Sequence, residues 1–148
     1  MAPPSASAAA TSGSPVSLPA VTGATDLAHQ PAISPGAPPA PNTLITRDLV
    51  TGTGAQAVPS STVSVQYVGA NYEDGKAFDA SWTNGGQPAQ FSLNGGVIQG
   101  FSQGIAGMKV GGRREIVIPP ALGYGDQAQG PIQPNETLVF IVDLKAVN

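Results

Sequence analysis

From residue 43 onward, short runs of apolar and polar residues are separated by glycine-rich turns, the pattern of a small β-rich domain. Residues 44–50 predict a first strand, ended by Thr51-Gly52-Thr53-Gly54. Residues 62–68 alternate, with Val63, Val65 and Tyr67 on one face and Ser64 and Gln66 on the other. Asp74-Gly75, between Tyr72 and Phe78, predicts a hairpin, because glycine accepts the positive φ of the turn. Asn94-Gly95-Gly96 predicts a second tight turn after Phe91 and Leu93. Phe101, Ile105 and Met108 fall at i, i+4 and i+7, one face of a short helix. Gly100, Gly104 and Gly107 weaken that helix, so it must depend on packing. A turn over 109–112 leads to a strand over 113–118 that Pro119-Pro120 stops. An irregular loop then runs to Asn135, and an apolar strand over 137–144 follows it.

Residues 1–42 read differently. They hold nine of the chain's 15 prolines and a single charged residue, Asp26. Their apolar residues, such as Val16, Leu18, Val21, Leu27 and Ile33, follow no helical or strand period. Too little apolar surface is available to offset the entropy of ordering, so a disordered spacer is expected, spanning about 35 Å as a flexible coil. The domain is expected to occupy 43–148. Met1 is followed by Ala-Pro-Pro rather than a basic start and an apolar stretch, so no signal peptide is visible. A Pro/Ala/Ser/Thr spacer suits a mature exported or envelope-associated form slightly better than a cytoplasmic one.

Composition narrows the chemistry. Six basic residues face nine acidic ones for a net charge of −3, with no basic run to follow a phosphate backbone, so nucleic acid is a poor partner. The absence of cysteine excludes a disulfide, a thiolate nucleophile and a zinc–sulfur site. The sole histidine, His29, lies in the proline-rich segment, far from any constellation that would make it a catalytic base or metal ligand. No apolar run approaches the roughly 18 residues of a membrane span. What remains is a set of aromatics, Tyr67, Phe78, Phe101, Tyr124 and Phe140, suited to work by shape, burial and a few hydrogen bonds.

Five strings in order, VQYVG at 65–69, EDGKAFDAS at 73–81, VIQGFSQGIAGMKVGGRR at 97–114, PPALGYG at 119–125 and PNETLVFIVDL at 134–144, resemble the FKBP family of macrolide-binding peptidyl-prolyl cis-trans isomerases. The resemblance covers about residues 44–147. It implies an α+β fold, a twisted antiparallel half-barrel wrapped around one short helix, with the pocket between them. It implies rotation about X-Pro bonds without a covalent intermediate, cofactor or metal. Proline-containing polypeptides and macrolides such as tacrolimus or rapamycin are the implied partners, and a monomer the expected state.

Residue by residue, Phe101 matches the pocket floor, and Tyr67, Phe78 and Phe140 match its walls. Val97 and Ile98 match the loop entering the helix, where the Ile98 N–H donates to a ligand carbonyl. Tyr124 matches the tyrosine whose hydroxyl donates to the ligand amide, Ile132 an apolar flap residue, and Asp79 the acceptor at the pocket edge. Asp79, Tyr124, Phe101 and Ile98 are the implied catalytic set. Each aromatic would also serve as an ordinary core residue of a strand or helix.

Three positions depart from the family pattern. Trp82-Thr83-Asn84-Gly85-Gly86 lacks the cation usual near Asp79, Ala89 stands where a wall aromatic is common, and Gln133 replaces a loop proline. Without the cation, Asp79 is expected to be less firmly placed. A lost aromatic contact costs about 1–3 kcal/mol of binding, roughly 5- to 150-fold. An isomerase of reduced activity is therefore expected. The competing expectation is a non-catalytic proline- or macrolide-binding module on the same fold.

Overall fold

The strand that opens on the alternating Val63, Val65 and Tyr67 runs on to Asn71, and its last residues are buried on both faces. The computed structural model describes residues 19–23, 30–36, 43–82, 87–94, 98–125 and 135–147. Its strands are β1 (Val21–Thr22), β2 (Ala32–Ile33), β3 (Ile45–Val50), β4 (Thr62–Asn71), β5 (Ala77–Ala80), β6 (Ala89–Ser92), β7 (Arg113–Ile118) and β8 (Leu138–Val147). A helix, α1 (Gln99–Ile105), precedes β7, and a 3-10 turn, Pro120–Leu122, follows it.

The main sheet is antiparallel in the order β3-β7-β8-β4-β5, with β6 also paired to β4. The β4–β8 ladder, from Val63 opposite Val147 to Asn71 opposite Leu138, forms its centre. The inner face packs Val63, Val65, Ile116, Ile118, Leu138, Phe140, Val142 and Leu144 against Phe101 and Ile105 of the helix. Helix α1 has seven residues and no side-chain cap, so its packing must hold it. Gly100 and Gly104 do more than weaken it. A Cβ on Gly100 would lie 2.4 Å from Ile118 Cγ2, and one on Gly104 2.6 Å from Ile116 Cγ2. The two glycines let the helix backbone settle directly onto β7. Met108, expected on the helix, lies beyond its end and reaches the same core from the turn.

The outer face differs from expectation. Two pieces of the segment read as a spacer, 19–23 and 30–36, are laid across the sheet, and the rest of 1–42 lies outside the described residues. β1 and β2 pair antiparallel, Val21 opposite Ile33. Val21 and Ile33 pack with Leu49 and Trp82 on Val68, Ala80 and Ile141. Ile33 and Ile45 cover Tyr72, Val117 and Val139. The Gly36 N–H donates to the Tyr72 carbonyl at 2.7 Å. The ribbon's apolar residues are too few to show a period, yet the sheet supplies the surface that orders them.

Glu115 of β7 lies on this face with a fully buried side chain, opposite Arg47 in register. Arg47 Nη2 donates to its Oε1 at 2.6 Å, while Oε2 has no partner among the described residues. Burial pushes the Glu115 carboxyl up to about 7 against the opposing pull of Arg47. A carboxyl raised on folding stabilises most below its unfolded pKa near 4.5 and loses that contribution as pH climbs through about 7. Urea unfolding of wild type and Glu115→Gln is expected to show their stability difference shifting against wild type by about 3 kcal/mol over that window. A difference that stays constant with pH would refute the shift.

Candidate functional site

Side chains of β4, β5, β6, β8 and α1 meet at one end of the inner face as a cluster of rings. Phe101 lies at its base, 4% exposed. Its ring centroid is 5.2 Å from Phe91 and 5.2 Å from Phe140, both edge-to-face, and 6.2 Å from Tyr67. Tyr67 touches Phe91 at 5.7 Å and Phe140 at 6.4 Å, and Phe78 meets Phe140 at 5.7 Å. Edge-to-face pairs of this kind hold one another's orientation beyond simple burial. The half-buried Tyr67, Phe78, Phe91, Ile98, Leu122 and Tyr124 pack around the buried Phe101 and Phe140 and form the partly exposed rim of an apolar cluster.

The polar groups sit on that rim. Tyr67 Oη donates to Asp79 Oδ2 at 2.6 Å. Burial first, then the neighbouring Asp79 carboxylate and Tyr124, hold the Tyr67 phenol far above its ordinary range, so it remains a donor. Asp79 thus has Tyr67 as a partner although the sequence lacks the usual nearby cation. Ile98 precedes α1 in an extended conformation, and its carbonyl accepts from the N–H groups of Phe101 and Ser102. Its own N–H has no backbone acceptor among the described residues. Tyr124 follows the 3-10 turn. The N–H of Gly125 donates to Pro120 O at 2.8 Å, and that of Asn135 to Gly125 O at 2.7 Å, which pins the segment carrying the ring.

Of the residues singled out in the sequence, Tyr67, Phe78, Ile98, Phe101, Tyr124 and Phe140 share one core, and Asp79 joins them through Tyr67. Val97 and Ile132 lie outside the described residues, as does Gln133. Ala89 is half-buried at the start of β6, opposite Val65. Two participants were missed. Phe91 contacts both Tyr67 and Phe101, and its position two residues past Ala89 on a strand was the available signal. Gly69 is the other: a Cβ there would lie 2.6 Å from Phe140 Cε1 and 2.8 Å from Phe78 Cζ. Gly69→Ala is expected to displace both rings, costing about 1–3 kcal/mol in urea unfolding and raising the KM for a prolyl peptide. Unchanged unfolding and KM would show that the rings have slack.

Comparison with known proteins places this geometry. Residues 54–145 match the model of the FKBP-type peptidyl-prolyl cis-trans isomerase family. An FK506-binding protein of Streptomyces anulatus is 52% identical over 116 residues, covering 76% of this chain and 92% of that protein. A probable FK506-binding protein of Corynebacterium glutamicum is 50% identical over 106 residues, 72% of this chain and 88% of that one. Among solved structures, FkpA from Escherichia coli superposes with a TM-score of 0.66 at 43% identity, covering 71% of this chain and 48% of its own. With its antiparallel sheet and, among the described residues, one short α-helix, the chain belongs to the FKBP-type peptidyl-prolyl cis-trans isomerases.

Proposed function

We propose that the aromatic cleft over Phe101 is where this isomerase binds prolyl peptides and macrolides, and that the Tyr67–Asp79 pair and Tyr124 orient what it binds. The carrying observation is the ring cluster itself: Phe101 buried at its base, partly exposed aromatics around it, and the hydrogen-bonded Tyr67–Asp79 pair at its edge. Rotation about X-Pro is slow because twisting the amide breaks its resonance, at a barrier of about 18–20 kcal/mol. The twisted amide is less polar than the planar one, so a site that strips water from it favours the transition state over the ground state.

In this reading the proline ring rests on Phe101 between Tyr67, Phe78 and Phe140. The Ile98 N–H and the Tyr124 hydroxyl donate to carbonyls flanking the rotating bond. Asp79, held by Tyr67, accepts at the edge. No proton moves and no covalent bond forms. Val97 and Ile132 keep the binding roles that the resemblance gives them. The names of the two bacterial relatives support the macrolide half of the reading.

The test is NMR exchange of a short Xaa-Phe-Pro peptide, with and without rapamycin, on wild type, Tyr124→Phe and Asp79→Ala. Wild type is expected to accelerate exchange and rapamycin to suppress it. Each substitution should cost about 2- to 10-fold, the worth of one hydrogen bond. Rapamycin binding without acceleration would instead favour a recognition module. Acceleration that both variants and rapamycin leave unchanged would move the site elsewhere.

A further inference from the structure

Behind the cleft, on the outer face of the sheet, a charged group is fully buried. The Arg113 side chain, at the start of β7, has no exposed surface. Its Nε donates to Asp143 Oδ1 at 2.6 Å and its Nη2 to Asp143 Oδ2 at 2.8 Å, a two-pronged pairing across the β7–β8 ladder. Its Nη1 donates to the backbone carbonyl of Gly23, in the N-terminal ribbon, at 2.7 Å. The guanidinium also lies 5.9 Å from the centre of the Trp82 ring, within reach of a cation–π contact. Val21 and Ile33 of the ribbon pack in the same cluster as Trp82.

Trp82 immediately follows Ser81, and Ser81 is tied to the cleft wall. Its N–H donates to the Tyr67 carbonyl at 2.9 Å, and its Oγ accepts from the Tyr67 N–H at 2.8 Å while donating to Gln66. The Tyr67 side chain then reaches Asp79. An unbroken set of contacts thus runs from the ribbon through Arg113, Trp82 and Ser81 to the Tyr67–Asp79 pair on the opposite face.

We propose that Arg113 is a positioning residue for the cleft, acting through Trp82, and that the N-terminal ribbon completes its site, so that docking of residues 19–23 and 30–36 sets how tightly the cleft holds its ligands. The proposal rests on the assignment of Asp79 and Tyr67 to the binding rim. Trp82 lies two residues past the end of β5, and Asp79 lies three residues before it. A ribbon that leaves would remove one of the acceptors of Arg113 and the apolar cover of Trp82 together.

Trp82 is the chain's only tryptophan, so its fluorescence reports ribbon docking directly. In the full chain, Val21→Lys with Ile33→Lys places two ammonium groups in the apolar cluster and should undock the ribbon, shifting Trp82 emission to longer wavelength. Circular dichroism would verify that the sheet stays folded. The undocked variant is expected to show a rapamycin Kd and a peptide KM raised about 2- to 30-fold, with kcat changing less. The same pair of lysines introduced beside Asp79→Ala should cost little more, because the route to the cleft is already cut. Trp82→Leu should behave like the undocked form, and Trp82→Tyr, which keeps a ring beneath the guanidinium, should retain most of the affinity. Exposure of Trp82 with unchanged Kd and KM would overturn the proposal, as would an equal loss with and without Asp79. If Asp79→Ala alone leaves binding untouched, the rim assignment fails and this inference falls with it.

Discussion

Phe101→Ala is expected to remove measurable isomerisation and to cost about 3–5 kcal/mol of stability, among the largest effects available to one substitution here. The ring is nearly buried and makes edge-to-face contacts with Phe91, Phe140 and Tyr67, so truncation leaves a cavity ringed by three other aromatics. Helix α1 cannot compensate, having seven residues, two glycines and no side-chain cap. Loss of stability alone could explain a dead enzyme, and Phe101→Leu separates the two effects. Leucine keeps an apolar base at a smaller folding cost, so that variant should stay folded and retain weak acceleration of exchange. Urea unfolding and peptide exchange on both variants make the comparison. A fully active Phe101→Ala would show that the ring is core and nothing more.

Asp143→Ala is expected to cost about 3–5 kcal/mol, because it takes the two-pronged carboxylate partner away from the buried Arg113 guanidinium. Asp143 is 1% exposed and Arg113 not at all, so water cannot replace the lost carboxylate without opening the outer face. The sharper expectation concerns the double variant. Arg113→Met with Asp143→Leu removes both charges and should be more stable than either single substitution, since an apolar pair of similar volume avoids both desolvation costs. Urea unfolding of the four proteins completes the cycle. Additive losses would show that the two groups do not depend on each other. Recovery of stability in the double variant would not restore the hold on Trp82, so folding and ligand affinity should part company there.

The inner half of this architecture was legible in the sequence, and most of the outer half was not. Alternation over Val63, Val65 and Tyr67, the Asp74-Gly75 turn and the Phe101–Ile105 spacing all correspond to local geometry that one strand or one helical turn dictates. The candidate site was legible mainly through the five strings, since a wall aromatic and a core aromatic look alike along a strand. Gly69 and Phe91 escaped notice because their importance lies in what stands opposite them. The ribbon escaped for a different reason: two-residue strands carry no period. Its trace was in the sheet instead. Leu138 to Val142 is apolar on both faces, and Arg113, Glu115 and Asp143 place charges within strands, where each must find a partner under cover.

The central place of β8 has a consequence for how the molecule is made. Its partners, β7 and β4, are both synthesised earlier, and β4 precedes it by more than half of the domain. A nascent chain that has emerged only as far as residue 137 has no strand to fill the gap between them. Both edges then offer unpaired backbone, and Phe101 has no Phe140 to lean on. The sheet cannot condense progressively from its beginning. It closes in one late, long-range step, the kind that slows folding and prolongs exposure of sticky edges. Until residues 138–147 become available the two edges stay open, so that interval carries the greatest danger of aggregation.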